Sequence, residues 1–136
     1  MKLDSSRIPL PDARSLTLQM GAGRALMAAG VMAAPVPAAR LLGADTATAQ
    51  RVTWLTRMMA VRDGALGVGT AGSARSGHGS ATWLLGGAVS DAVDAIVIAG
   101  AIQQGRVKGV LPTAIVVGAV GAAALGFFNA SRVHRA

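Results

Sequence analysis

Four stretches of the chain carry apolar residues over lengths that suit helices rather than strands: about 13–34, 48–74, 81–103 and 110–130. Punctuation separates them. Asp12 is placed to cap the first helix, and Pro35 and Pro37 stop it. Asp45 or Thr46 is placed to cap the second. The run SARSGHGS, residues 73–80, is the clearest turn, with Ser80 as the expected cap of the third helix. QQGRVKG, residues 103–109, makes a short basic connection to the fourth. Between the first and second helices, PVPAARLLGADTATAQ is expected as a connection with a short helical turn at Ala38–Leu42. The Leu41–Leu42 pair there suits an interfacial, partly re-entrant path. Each apolar stretch is long enough to cross the hydrocarbon core of a bilayer. The expected fold is all-α, a four-transmembrane-helix bundle over residues 12–130 with a polar tail at 1–11, Ile8 and Leu10 at the interface, and a basic tail at 131–136.

Within these stretches the pattern assigns faces. On the first helix, Arg24 shares a side with Thr17, Gly21 and Ala28, which suits a packed face. On the second, Thr53, Thr56, Arg57, Ala60, Asp63, Gly64, Gly67 and Thr70 form a small, polar half that is expected to point inward. Leu55, Met58, Leu66 and Gly69 lie opposite, and so does Arg62. Arg62 is therefore expected to snorkel, to meet another helix, or to be re-aimed by a kink near Gly64. On the third, Leu84, Gly87, Ala88, Asp91, Asp94, Ala95 and Ile98 share one face, with Val89, Val93, Ile96 and Val97 as the lipid-like back. On the fourth, Gly118, Ala122 and Gly126 make a small-residue seam for a neighbour or for self-association.

Composition sharpens the membrane reading. The filling is Ala and Gly, eighteen of the latter, with two Phe, two Trp and no Tyr. Charged residues are 14%, where soluble domains carry about 25%. Trp54 and Trp83 fall near the starts of consecutive helices, as anchors at opposite interfaces would. The absence of Cys removes thiolate metal sites and thiol catalysis. The first apolar stretch starts late, contains Arg24 and has no clear cleavage site, so it is expected to be retained.

The net charge of +7 is not a nucleic-acid signature. Arg24, Arg57, Arg62, Asp63, Asp91 and Asp94 lie inside apolar stretches and cancel. The excess sits in tails, loops and helix ends, which suits an anionic bilayer surface rather than a continuous nucleic-acid-binding face. With four spans, Lys2, Arg7, Arg14, Arg75, Arg132 and Arg135 share one side, against Arg40, Arg51, Arg106 and Lys108 on the other. That bias favours cytoplasmic termini in a cell membrane.

The six interior charges form the candidate site. Charge at membrane depth is tolerable when paired, so the expected arrangement is a buried network of Arg24, Arg57, Arg62, Asp63, Asp91 and Asp94 that fixes helix register. The functional alternative is a polar cavity. An Arg between carboxylates can keep one ionised as base and another protonated as acid, which would make Asp63, Asp91 and Asp94 the catalytic or proton-carrying groups toward an apolar substrate. Neither a cofactor nor a metal is expected. Asp91 and Asp94 alone are too few ligands. His78 and His134 are isolated, and GALGVGTAG at 64–72 lacks the Lys and hydroxyl of a phosphate-binding loop. Asp63–Gly64 echoes the start of the CDP-alcohol phosphotransferase motif, but the residues after it and the later acidic spacing do not fit.

Three runs carry a family likeness: PAARLLGAD at 37–45, R-x-x-x-x-R-D-x-A-L-G at 57–67, and D-A-x-D-A at 91–95. They resemble small bacterial four-helix membrane proteins of unknown function, distantly similar to DoxX-like proteins. The likeness covers roughly residues 13–130 and implies the four-helix fold. It singles out Arg62, Asp63 and Asp91 and implies no activity. The resulting expectation is a non-enzymatic integral membrane protein, either an accessory subunit or a small-molecule- or lipid-binding bundle. Its partners would be the lipid bilayer and a membrane protein or second copy, with a membrane enzyme or proton-coupled carrier as the alternative.

Overall fold

The computed structural model describes residues 11–134, and over these the chain is helical with no strand. The helices are α1 (Ala13–Ala33), α2 (Pro35–Leu41), α3 (Thr46–Arg51), α4 (Thr53–Ser76), α5 (Ser80–Gln103) and α6 (Val110–Val133). The expected tails at 1–10 and 135–136, including Ile8, Leu10 and Arg135, lie outside the described residues. Residues 131–133, expected in the basic tail, extend α6.

Local chemistry accounts for most boundaries. The Asp12 carboxylate accepts the Ser15 amide at 3.0 Å and starts α1. Pro35 then occupies the first turn of α2, where its missing N–H costs nothing, and the chain turns by 109° between α1 and α2. The short turn expected at Ala38–Leu42 is thus a seven-residue helix that begins earlier. Asp45 accepts the Thr48 amide and caps α3. The single helix expected over 48–74 is divided at Val52, which leaves the helical region at φ −98°, ψ 11°. Ser80 does not cap α5. It is the first helical residue, and Gly79 holds the cap position at φ +74° without a side-chain bond.

The four long helices run alternately up and down. α1 and α4 form one intimate antiparallel pair and α5 and α6 the other, with α4 against α5 and α6 against α1 closing the bundle. The α1–α4 contact is made by backbones. A Cβ on Gly21 would stand 2.5 Å from the Ala71 amide nitrogen, and one on Gly67 would stand 2.6 Å from that of Ala25. Only glycine permits that approach, the device that packs helices where no water drives burial. Between α5 and α6, Gly126 meets Ala88 and the Leu84 carbonyl. The seam expected on this last helix is only partly realised. Gly118 is exposed with no neighbour, whereas Pro112, Ala123, Gly126, Asn129 and Ala130 are the buried set.

The interior is small and the exterior large. Among the described residues, the buried apolar side chains are Ala, with Leu84, Pro35 and Pro112 the exceptions. Each long helix turns bulky apolar side chains outward: Leu26 of α1 is 73% exposed, Val68 of α4 66%, Ile96 of α5 72% and Val117 of α6 67%. α5 and α6 are each long and apolar enough to cross a membrane, and α1 with α2 passes the same test as a sharply bent pair.

Candidate functional site

The interior charges stand near the middle of their helices: Arg24 in α1, Arg62 and Asp63 in α4, Asp91 and Asp94 in α5. They are brought together as one alternating chain, Asp91–Arg24–Asp63–Arg62–Asp94. Arg24 crosses the bundle from α1. One terminal nitrogen donates to Asp63 Oδ1 at 3.2 Å, and the other donates to Asp91 Oδ2 and lies 3.5 Å from the Gly87 carbonyl oxygen. Arg62 grips Asp94 with both terminal nitrogens, at 2.6 and 3.2 Å, and also donates to Asp63 Oδ1 at 3.2 Å. The paired fork is the strong geometry for a guanidinium on a carboxylate.

The reason Arg62 belongs lies in how α4 packs. Gly64, Gly67 and Ala71 face α1. Leu66 touches Gly86, and Gly69 lies under the Trp83 ring, so these two face α5. At about 100° per residue, Arg62, Leu66 and Gly69 fall within one narrow stripe. The side that the helical wheel sets opposite the inward face is therefore a second inward face. Asp63 sits between the two stripes and receives a guanidinium from each side.

Arg57 corrects the expectation in the other direction. It is exposed and makes no ion pair among the described residues. It stands in the second turn of α4, where a long side chain can carry its charge outward. Without it the cluster is no longer balanced: three carboxylates share two guanidinium groups.

Little space adjoins this chain of charges. A cavity of about 20 Å³ touches Arg24 and Asp91 and is walled by Met20, Thr70, Trp83 and Leu84. That holds about one water. A larger groove, about 330 Å³, lies at the α2–α3 end of the bundle. It is lined by Leu42, Val52, Leu55, Met59, Arg106 and Val107 among others. The groove was not anticipated from sequence, because its walls come from four separate segments.

Asn129 was also missed. It is fully buried in α6 and donates to the Ala13 carbonyl at 3.1 Å and to Thr17 Oγ1 at 2.8 Å, tying α6 to the start of α1. The available signal was one amide in an otherwise apolar turn, since a polar side chain there must find a partner. His78 is exposed, with Nδ1 2.8 Å from the Ser76 carbonyl oxygen, and serves the turn. No family model, curated protein or solved structure matches the chain.

Proposed function

We propose that the chain is an integral membrane protein of the cell membrane, a four-span bundle that acts by binding, as an accessory or lipid-binding protein. The observation that carries this is the inverted distribution of size and charge. Bulky apolar side chains face outward on all four long helices, while Ala, Gly and a chain of ion pairs fill the interior at mid-helix. Water would not favour that exterior, and hydrocarbon does. α4 is then the fourth span: Arg62 and Asp63 are paired with their neighbours, and Arg57, near its start, carries its charge outward. Trp54 and Trp83 stand near opposite ends of the bundle as interface anchors. The termini are assigned to the cytoplasm, and the likeness to small bacterial four-helix membrane proteins agrees with this architecture.

A structural role for the charges is supported by their engagement. Each carboxylate in the chain meets a guanidinium, and the adjoining cavity has room for about one water. Binding is assigned to the larger groove. One observation favours a second reading: the uncompensated negative charge among Asp63, Asp91 and Asp94 is relieved by a single proton, as a proton-coupled carrier requires. Asp91→Asn separates the two. A structural lock predicts a less stable protein whose binding in detergent is retained once folded. A folded Asp91→Asn protein that has lost proton uptake by reconstituted vesicles would favour the carrier.

A further inference from the structure

The basic residues at the two ends of the bundle are used differently. At the end bearing the α4–α5 turn, the Arg14 guanidinium donates to the Ala74 and Arg75 carbonyls, and Arg132 donates to the Pro11 carbonyl. These two cations are committed to backbone carbonyls, which leaves Arg75 as the exposed cation of this end with no side-chain partner among the described residues. At the opposite end, Arg40, Arg51, Arg57, Arg106 and Lys108 are exposed, and none makes an ion pair or side-chain hydrogen bond among the described residues. The nearby carboxylate, Asp45, has both oxygens engaged by Thr48. Five uncommitted cations therefore surround the end that holds the apolar groove.

We infer that this groove binds an anionic phospholipid, its phosphate on Arg106 and the neighbouring cations and the upper part of an acyl chain against Leu42, Val52, Leu55 and Met59. Charge complementarity selects the anion, and the apolar walls select an amphiphile over a free ion. Its volume of about 330 Å³ is that of a small-ligand pocket. The 109° turn after α1 sends α2 away from the α1 axis at the bundle end, with Leu41 54% exposed, so an apolar side chain lies on the surface beside the groove. The inference rests on the membrane reading above and names the ligand class of that binding function.

The test uses the full chain in phosphatidylcholine vesicles with and without phosphatidylglycerol, followed by native mass spectrometry of the extracted protein. Preferential retention of phosphatidylglycerol is expected. Arg106→Gln should weaken it about fivefold, as loss of one basic contact at a membrane surface does. Leu55→Trp, which fills the groove, should abolish it, and Arg75→Gln at the other end should leave it unchanged. Equal retention of both lipids overturns the inference, as does an equal effect of Arg75→Gln and Arg106→Gln, or thermal protection by inorganic phosphate that matches the lipid. Failure to enter vesicles of either composition overturns the membrane reading and this inference together. Entry without headgroup preference overturns the inference alone.

Discussion

Asp63 accepts from two arginines on different helices, and Arg24 donates to two aspartates on different helices. Removing Arg24 leaves Asp91 without a partner, whereas removing Asp63 leaves Arg24 on Asp91 and Arg62 on Asp94. Arg24→Leu strands Asp91 and leaves Asp63 on Arg62 alone. It should cost about 3–5 kcal/mol, the scale for breaking a buried pair by deleting one member. Arg57→Gln, at an exposed position, should stay within about 0.5 kcal/mol. Denaturant unfolding in detergent compares the two, and equal losses would remove the distinction drawn between them. At the surface, the amide and hydroxyl of Thr48 donate to Asp45 and hold its carboxyl below the ordinary 3.8. A depressed folded value means that the cap's contribution is complete above that ordinary value and is lost as pH falls through the folded one. Asp45→Ala should therefore lower the neutral plateau of stability against pH and flatten its acid limb, with parent and variant converging at low pH.

Among the elements, α4 is the one that organises the bundle, since it presents one stripe to α1 and another to α5. The α1 stripe leaves no room for a methyl group. Gly67→Ala places a Cβ against the α1 backbone, which has no flexible side chain to yield, and should cost about 1–3 kcal/mol as overpacking does. Gly118→Ala adds the same atom where nothing lies within 4 Å and should be neutral or stabilising by up to about 1 kcal/mol through helix propensity. Thermal unfolding of the pair, side by side, tests whether contact rather than composition makes a glycine necessary. A Gly67→Ala protein as stable as the parent would mean that the helices are not in backbone contact.

For the whole molecule, the proposed four-span arrangement would place the α4–α5 turn and the α5–α6 loop on opposite sides of a bilayer. The chain has no cysteine, so single substitutions report cleanly. His78→Cys and Lys108→Cys should react with a membrane-impermeant maleimide from opposite faces of sealed vesicles. Labelling of both from one face would reduce the number of spans and remove α5 as a crossing helix.

The helical class, the four long helices and most of their ends were legible in the sequence, because periodicity, prolines and capping residues act locally; α5, α6 and the bent α1–α2 pair are apolar enough to cross a membrane, and α4 is not. So were the lipid-like back of α5, whose Val89, Val93, Ile96 and Val97 are all exposed, and the packed side of α1 at Thr17, Gly21 and Ala28. Five of the six expected network residues meet. Arg57 drops out, and Arg62 joins by meeting another helix, because a helix packed by two neighbours has two inner faces and a one-sided wheel sees one. The groove and the buried amide of Asn129 were likewise settled by tertiary contact. Sequence alone determined which residues are apolar, small or charged at each turn. Which charge found a partner depended on the positions of three helices at once, and that is where a neutral six-residue cluster became a five-residue chain with one carboxylate in excess.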